Sequence, residues 1–247
     1  MSSVRSIDAA DGAAAVRELI DRAERRVCVS VPAGTIETFR ESLAAAVDRG
    51  VLALVLVHDQ SQPTEWAEFA TIVRHSRSVE PAICTADEQV GVIGPPGAID
   101  DSGQGSLTMV EDLRLARLMF GSLLGNYWMR AAELFVTDPD PLPARYESFF
   151  RAVVRATQAL QRRRTLRVTV DTYPPQTIPA VTDREPTPRT GRLVNVRQSL
   201  LVPATNTFPV ETSLALAAND RRFSVGGSGA IVEDYVADRI RLEPIDA

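Results

Sequence analysis

The chain contains no lysine; all 27 of its basic residues are arginine. A P-loop is excluded on that ground alone, because its phosphate cradle needs a Gly-Lys-Ser/Thr step. Arginine in place of lysine suits a GC-rich genome or adaptation to high salt, and we expect an archaeal source. There are only two cysteines, Cys28 and Cys84, each inside an apolar run. Two such residues make no disulfide framework, and they read as small buried thiols. No CxxC or HExxH spacing and no GxSxG elbow is present, so neither a metal nor a cofactor is expected. No apolar run reaches the ~18 residues of a membrane span, and the N-terminus has no signal-like core. The chain reads as cytoplasmic, without a membrane partner. A net charge of −5 gives no field that would draw it to nucleic acid.

What is present is ordinary globular material: 247 residues, 45% hydrophobic and 24% charged, enough for one large domain or two smaller ones. Ala13 to Arg26 places Val16, Leu19, Ile20 and Ala23 on one helical face. A short strand, Val27 to Val31, is stopped by Pro32. Ile36 to Arg49 is again amphipathic, and Arg49-Gly50 supplies a cation and then a left-handed cap. Val51 to Val57 is continuously apolar, as in a strand buried on both faces. Helix, strand, helix and strand in short succession predict an α/β unit with parallel strands.

Beyond Pro63 the pattern is weaker. Trp66, Phe69 and Val73 could line a short helix, or Ala70 to Val73 could begin a strand. Hairpins are expected at Ala82 to Ile93 around Asp87-Glu88, and at Leu107 to Val110 with Leu115 to Phe120 around Glu111-Asp112. The two would echo each other as related halves, with Pro95 to Gly105 as an exposed loop between them. Pro141 to Arg164 predicts one long helix. After it come strand-like runs at Leu166–Tyr173, Arg192–Val196, Thr212–Ala217, Arg222–Val225 and Arg239–Leu242. Asn219-Asp220 is a turn signal, and Pro174 to Pro188 reads as a loop. A boundary near residue 165 follows, with an α/β domain over residues 1–165 and a mostly-β domain over 166–247.

The most informative segment is Val225-Gly226-Gly227-Ser228-Gly229-Ala230-Ile231-Val232-Glu233-Asp234-Tyr235. Three glycines in four residues after a strand let the backbone turn tightly or approach a ligand closely. The dinucleotide fingerprint, GxGxxG opening a helix, is not matched. A tight turn in a β domain remains the plain structural alternative.

This segment resembles the end of the effector domains of the TrmB family of archaeal sugar-responsive transcription regulators. Upstream features agree in order: an opening helix, a Val-Ser-Val-Pro strand, a helix ending in Arg-Gly-Val, and a Thr-Gly-Arg-Leu-Val start to the β domain. The resemblance implies an α/β fold, with a phospholipase-D-like α/β domain followed by a small mostly-β domain. It also implies a non-catalytic, sugar-binding effector site between them, with three positions carried over. Gly227 would lie with its backbone against the sugar, and Glu233 would accept from sugar hydroxyls. Asn206, in Asn206-Thr207-Phe208-Pro209-Val210-Glu211, would both donate and accept. Ser122 and Asn126 are further ligand-binding candidates, expected to face the same cleft. Of Tyr127 and Trp128, one is expected in the core and one partly exposed.

Catalysis is not expected. A phospholipase-D-type site needs a histidine followed closely by a lysine, and neither His58 nor His75 has one; Arg77 stands at the wrong spacing. The resemblance implies a small carbohydrate effector and either a homodimer or a separate DNA-binding partner, because about a dozen residues before Ala13 cannot hold a winged helix-turn-helix. No direct nucleic acid binding is expected of this chain. The alternative is a protein-interaction or dimerisation module that kept the fold but not sugar binding.

Overall fold

The computed structural model describes residues 3–59, 65–100, 104–177, 179, 182–206, 208, 210–228 and 230–245. The fold is mixed α/β, in two compact units spanning Met1–Thr137 and Asp138–Ala247.

In the first unit, β1 (Ser3–Asp8) leads into α1 (Ala9–Arg22), β2 (Arg26–Pro32), α2 (Arg40–Asp48) and β3 (Leu52–His58). Then come β4 (Ile72–Ser76), β5 (Ala82–Ala86), β6 (Val90–Gly94), β7 (Ser106–Glu111), α3 (Leu113–Ser122) and β8 (Ala132–Val136). The sheet runs β1-β7-β6-β5-β2-β3-β4-β8. Its centre, β2-β3-β4, is parallel, as the helix–strand rhythm predicts. Every residue of β3 is buried, which is why its sequence shows no alternation. Val16, Leu19 and Ile20 of α1 pack with Val27, Val29, Val55 and Val57 in one core. Cys28 and Cys84 are free, buried thiols, both held far above the ordinary thiol pKa by burial and therefore inert.

The β5–β6 hairpin turns at Asp87 and Glu88, both at positive φ. The Asp87 carboxylate accepts from the backbone amides of Glu24, Arg25 and Arg26 at 2.8–2.9 Å, tying the turn to the start of β2. Around Trp66 there is one 3-10 turn, Trp66–Glu68, and β4 begins at Ile72, so each of the two readings of that stretch is partly realised. The Pro95–Gly105 stretch is not simply an exposed loop. Ala98 and Ile99 are buried, and a Cβ on Gly12 of α1 would lie 1.9 Å from the Ala98 carbonyl oxygen.

The second expected hairpin is corrected. Its first arm is β7, but its second is helix α3, so the two stretches are not related halves. Asp112 is no hairpin turn; its side chain caps α3 by accepting from the amides of Arg114 and Leu115. Ala116 and Phe120, four residues apart, carry the buried face.

The second unit holds β9 (Ala144–Tyr146), α4 (Phe149–Gln161), β10 (Leu166–Tyr173), β11 (Thr187–Arg197), β12 (Ser213–Ala218), β13 (Arg221–Gly226) and β14 (Tyr235–Pro244). The strands are ordered β10-β11-β12-β13-β14-β9, and a further β10–β14 pairing closes five of them into a ring. The β-rich character expected after Thr165 is present, with the Asn219-Asp220 turn at positive φ. Two expectations differ. The long helix starts at Phe149, because Ala144–Tyr146 pairs with β14 instead. The division falls at Thr137–Asp138, not near 165: Phe149, Ala152, Val153, Ala156 and Ala159 of α4 join the core built by Leu166, Val168, Val170, Leu214 and Leu216. Among the described residues, no helix is long and apolar enough to cross a membrane.

Candidate functional site

Three pieces of the second unit bring the residues singled out by sequence towards one another: the end of β11, the loop from Gln198 to Thr212, and the turn between β13 and β14. The loop is folded from within. Gln198 is fully buried, and its amide donates to the carbonyls of Leu201 and Pro203 while its oxygen accepts from the Leu201 amide at 2.7 Å. The Thr205 hydroxyl donates to the Val196 carbonyl and accepts from the Gln198 amide, closing the loop back on β11. Asn206 follows. Its Nδ2 donates to the Glu211 carbonyl at 2.7 Å, which bridges the segment and leaves Oδ1 as the side-chain group free of that bond. Thr207 and Pro209, between them, lie outside the described residues.

The β13–β14 turn is stapled by Asp234, whose Oδ2 accepts from the Ser224 amide at 2.7 Å and its hydroxyl at 2.9 Å. Asp234 is thus a turn residue, while its neighbour Glu233 points inward and is only 7% exposed. Glu233 lies against Gly226. A Cβ added there would meet the Glu233 carboxyl carbon at 2.9 Å and the Ala230 Cβ at 2.5 Å, so the chain needs glycine at 226 for Glu233 to take this place. Gly227 differs. Its missing side chain would meet the Phe149 ring at 3.0 Å, so its Cα faces the first turn of α4. Gly229 lies outside the described residues.

Two residues that sequence reasoning did not single out complete the cluster. Arg197, at the end of β11, forms an ion pair with Glu211. Both lie close enough to Glu233 to affect its charge. Burial pushes the Glu233 pKa up, nearby backbone amides pull it down, Glu211 raises it and Arg197 lowers it. Glu211 stood inside the Asn206 segment, but a pair fourteen positions apart leaves no local signal. The Thr212 hydroxyl beside Glu211 is buried with no hydrogen-bond partner among the described residues.

The cluster can therefore orient a polyhydroxylated ligand: one amide oxygen, two carboxylates and a guanidinium stand near one loop. Ser122 and Asn126 are in the first unit. Both are exposed, and the Asn126 amide donates to the Ser122 hydroxyl at 3.0 Å. Trp128 is fully buried beneath Arg74, which donates to its carbonyl at 2.8 Å, and Tyr127 is half-buried, matching the split expected of that pair.

Neither histidine is hydrogen-bonded to a carboxylate among the described residues. His75 Nε2 meets the Asp59 carbonyl at 2.7 Å. His58 is fully buried, both ring nitrogens lack a partner among the described residues, and burial pulls its pKa down to about 4. Among the described residues, no three His, Cys, Asp or Glu side chains are grouped so as to hold a metal ion.

Two family models match the chain. One, described as "Transcriptional regulator TrmB, EBD N-terminal subdomain", covers residues 2–134. The other, "TrmB/TrmBL1, EBD C-terminal subdomain", covers residues 141–245. Comparison with curated proteins gives no match. Among solved structures the chain is similar to TrmBL2, an archaeal chromatin protein said to show a novel mode of DNA binding, at 15% identity and a TM-score of 0.45. That likeness covers 53% of this chain and 54% of TrmBL2, so the chain matches about half the length of that relative. Similarity also extends to Nuc from Salmonella typhimurium, a phospholipase D family member, at 16% identity over 54% of this chain and 99% of that one, with a TM-score of 0.44. NucT from Helicobacter pylori is similar at 9% identity over 49% and 98% of the two chains, with a TM-score of 0.38.

Proposed function

The chain belongs to the TrmB family of transcriptional regulators, as both effector-binding subdomains attest, and on that premise we propose that it is a non-catalytic sensor of a small carbohydrate. The ligand is held in the second unit by Asn206, Gly227 and Glu233, with Glu211 and Arg197 beside them. The observation that carries this reading is the placement of Glu233, a carboxylate drawn in against Gly226 rather than left in solvent. A sugar hydroxyl both donates and accepts, so the Asn206 amide oxygen and the ionised Glu233 carboxylate accept from sugar hydroxyls while Arg197 donates to their oxygens. Gly227 contributes by letting the turn pass close over Phe149. Binding signals only if the sugar prefers one state of the protein over another. The signal then passes to a second copy of the chain or to a separate DNA-binding partner. At a net charge of −5 the chain itself is not expected to retain DNA.

A second reading, a protein-interaction module, draws on one observation. Phe208, Val210, Ile231 and Val232 expose their apolar side chains on the loops that carry Asn206 and Glu233.

The test is a thermal-shift screen of the whole chain against mono-, di- and oligosaccharides, with Glu233→Ala beside it. A sugar at about 100 times its dissociation constant adds about 2.7 kcal/mol of stability. A rise for one sugar class that disappears in Glu233→Ala is the expected result. No rise with any sugar, together with a self-association that Val232→Asp abolishes, would replace the sensor by the interaction module.

A further inference from the structure

A cavity of about 150 Å³ opens elsewhere in the second unit, lined by none of the residues of the candidate carbohydrate site. Asp140, Leu142, Arg155, Ala159, Arg162 and Arg164 are among its walls. Its volume is far above the about 10–15 Å³ that one water requires.

The charges around it do not balance. Arg151 and Arg155 both turn to Asp140, at 3.5 and 3.2 Å, and Arg162 reaches Asp138 at 3.3 Å. The Arg164 side chain has no hydrogen bond or ion pair among the described residues. The three arginines that line the cavity, Arg155, Arg162 and Arg164, therefore face two carboxylates, one of which Arg151 also uses. The C-terminal end of α4 offsets this by about half a charge, which leaves the cavity net positive. Donors are in surplus as well. Arg155 is 5% exposed, and its Nε, although near Asp140, is buried with no hydrogen-bonded acceptor. Its other nitrogens are used, one on the Asp138 carbonyl at 2.8 Å and the Gln158 side chain at 2.9 Å. Buried donors without acceptors are costly, and a guanidinium matches the oxygens of a tetrahedral anion two at a time.

We propose that this cavity binds a phosphoryl group, either inorganic phosphate or the end of a phosphate monoester, with Arg162 and Arg164 at its mouth and Arg155 within. Arg162 and Arg164 are exposed, so their charge can be removed without opening the core. The reading is independent of the sugar site.

The test is calorimetric titration of the whole chain with inorganic phosphate and with glycerol 3-phosphate, against sodium chloride at equal ionic strength. Saturable binding is expected, weakened about tenfold or more in Arg162→Gln/Arg164→Gln, as the loss of two charge-assisted contacts implies. Glu233→Ala should bind as the parent does, which separates this site from the carbohydrate reading. Tighter binding of the monoester identifies an ester as the ligand, and equal binding identifies the free ion. Heats no different from chloride, or an arginine double variant that binds like the parent, would overturn the proposal.

Discussion

Glu233 is buried, with Glu211 adding to the cost of its charge and Arg197 only partly relieving it. An acid whose pKa is higher in the folded than in the unfolded chain binds its proton more tightly when folded. The stability gained from that proton is complete below the ordinary carboxylate pKa of about 4.3 and is lost as pH rises through the raised value. Glu233→Gln keeps the shape and removes the charge. Urea unfolding should find it more stable than the parent at pH 7, the gap closing as pH falls below about 4. A gap of the same size at both pH values, or none, would mean that Glu233 is better solvated than its burial implies. The difference between the two proteins is the quantity to read, because His58 acts with the opposite sign. Its pKa falls to about 4 in the fold, so its contribution is present above the ordinary histidine value and lost as pH drops towards that figure. Subtracting the parent curve cancels it. At this scale the glycine-rich turn was legible as chemistry, but the division of labour within it was not. Gly227 stood out by resemblance, yet Gly226 is the position where a Cβ would strike Glu233. Which face of a turn meets which neighbour depends on residues far off in the chain.

Elements followed the hydrophobic period wherever one layer decided it. The run Val51–Val57 is β3 shifted by one residue, to Leu52–His58, the Asp87-Glu88 turn closes β5 and β6, and Leu166–Tyr173 is β10 residue for residue. The misreading at Leu115–Phe120 has a local cause. Leu115 to Phe120 is a short, mostly apolar run of the length of a strand, and Glu111-Asp112 looks like a turn. Asp112 decides the matter by accepting from two amides at 2.9 and 3.0 Å. Those amides belong to the first turn of α3, which otherwise has no partner for them. Asp112→Ala should therefore cost about 1 kcal/mol, with a loss of helical ellipticity in far-UV circular dichroism, whereas Asp112→Ser should recover most of it. Equal stability of the alanine variant and the parent would show that packing by Ala116 and Phe120, not the cap, fixes this helix.

The two units divide the chain where composition does not. Character changes at Thr165, where strands begin to dominate, but the second core already starts at Tyr146 and takes in Phe149, the first residue of α4. A boundary drawn from composition sees the change of element type, whereas a physical boundary lies where contacts stop crossing, here at Thr137–Asp138. The consequence is measurable by expressing two fragments. Phe149 and Val153 are 6% and 0% exposed, and Ala152, Ala156 and Ala159 lie beside them. Burial of each of the two larger side chains is worth about 1.5–3 kcal/mol, against a total stability of about 5–15 kcal/mol for a domain. Removing α4 forfeits both and exposes the apolar strand residues it covers, a loss as large as the whole margin. The fragment 138–247 should unfold in one cooperative urea transition, and 166–247 should show none. A cooperative transition in the shorter fragment, at the midpoint of the longer one, would put the division back at 165. It would also make α4 an appendage of this core, and the arginine-lined cavity along α4 would then have to form without help from the strands.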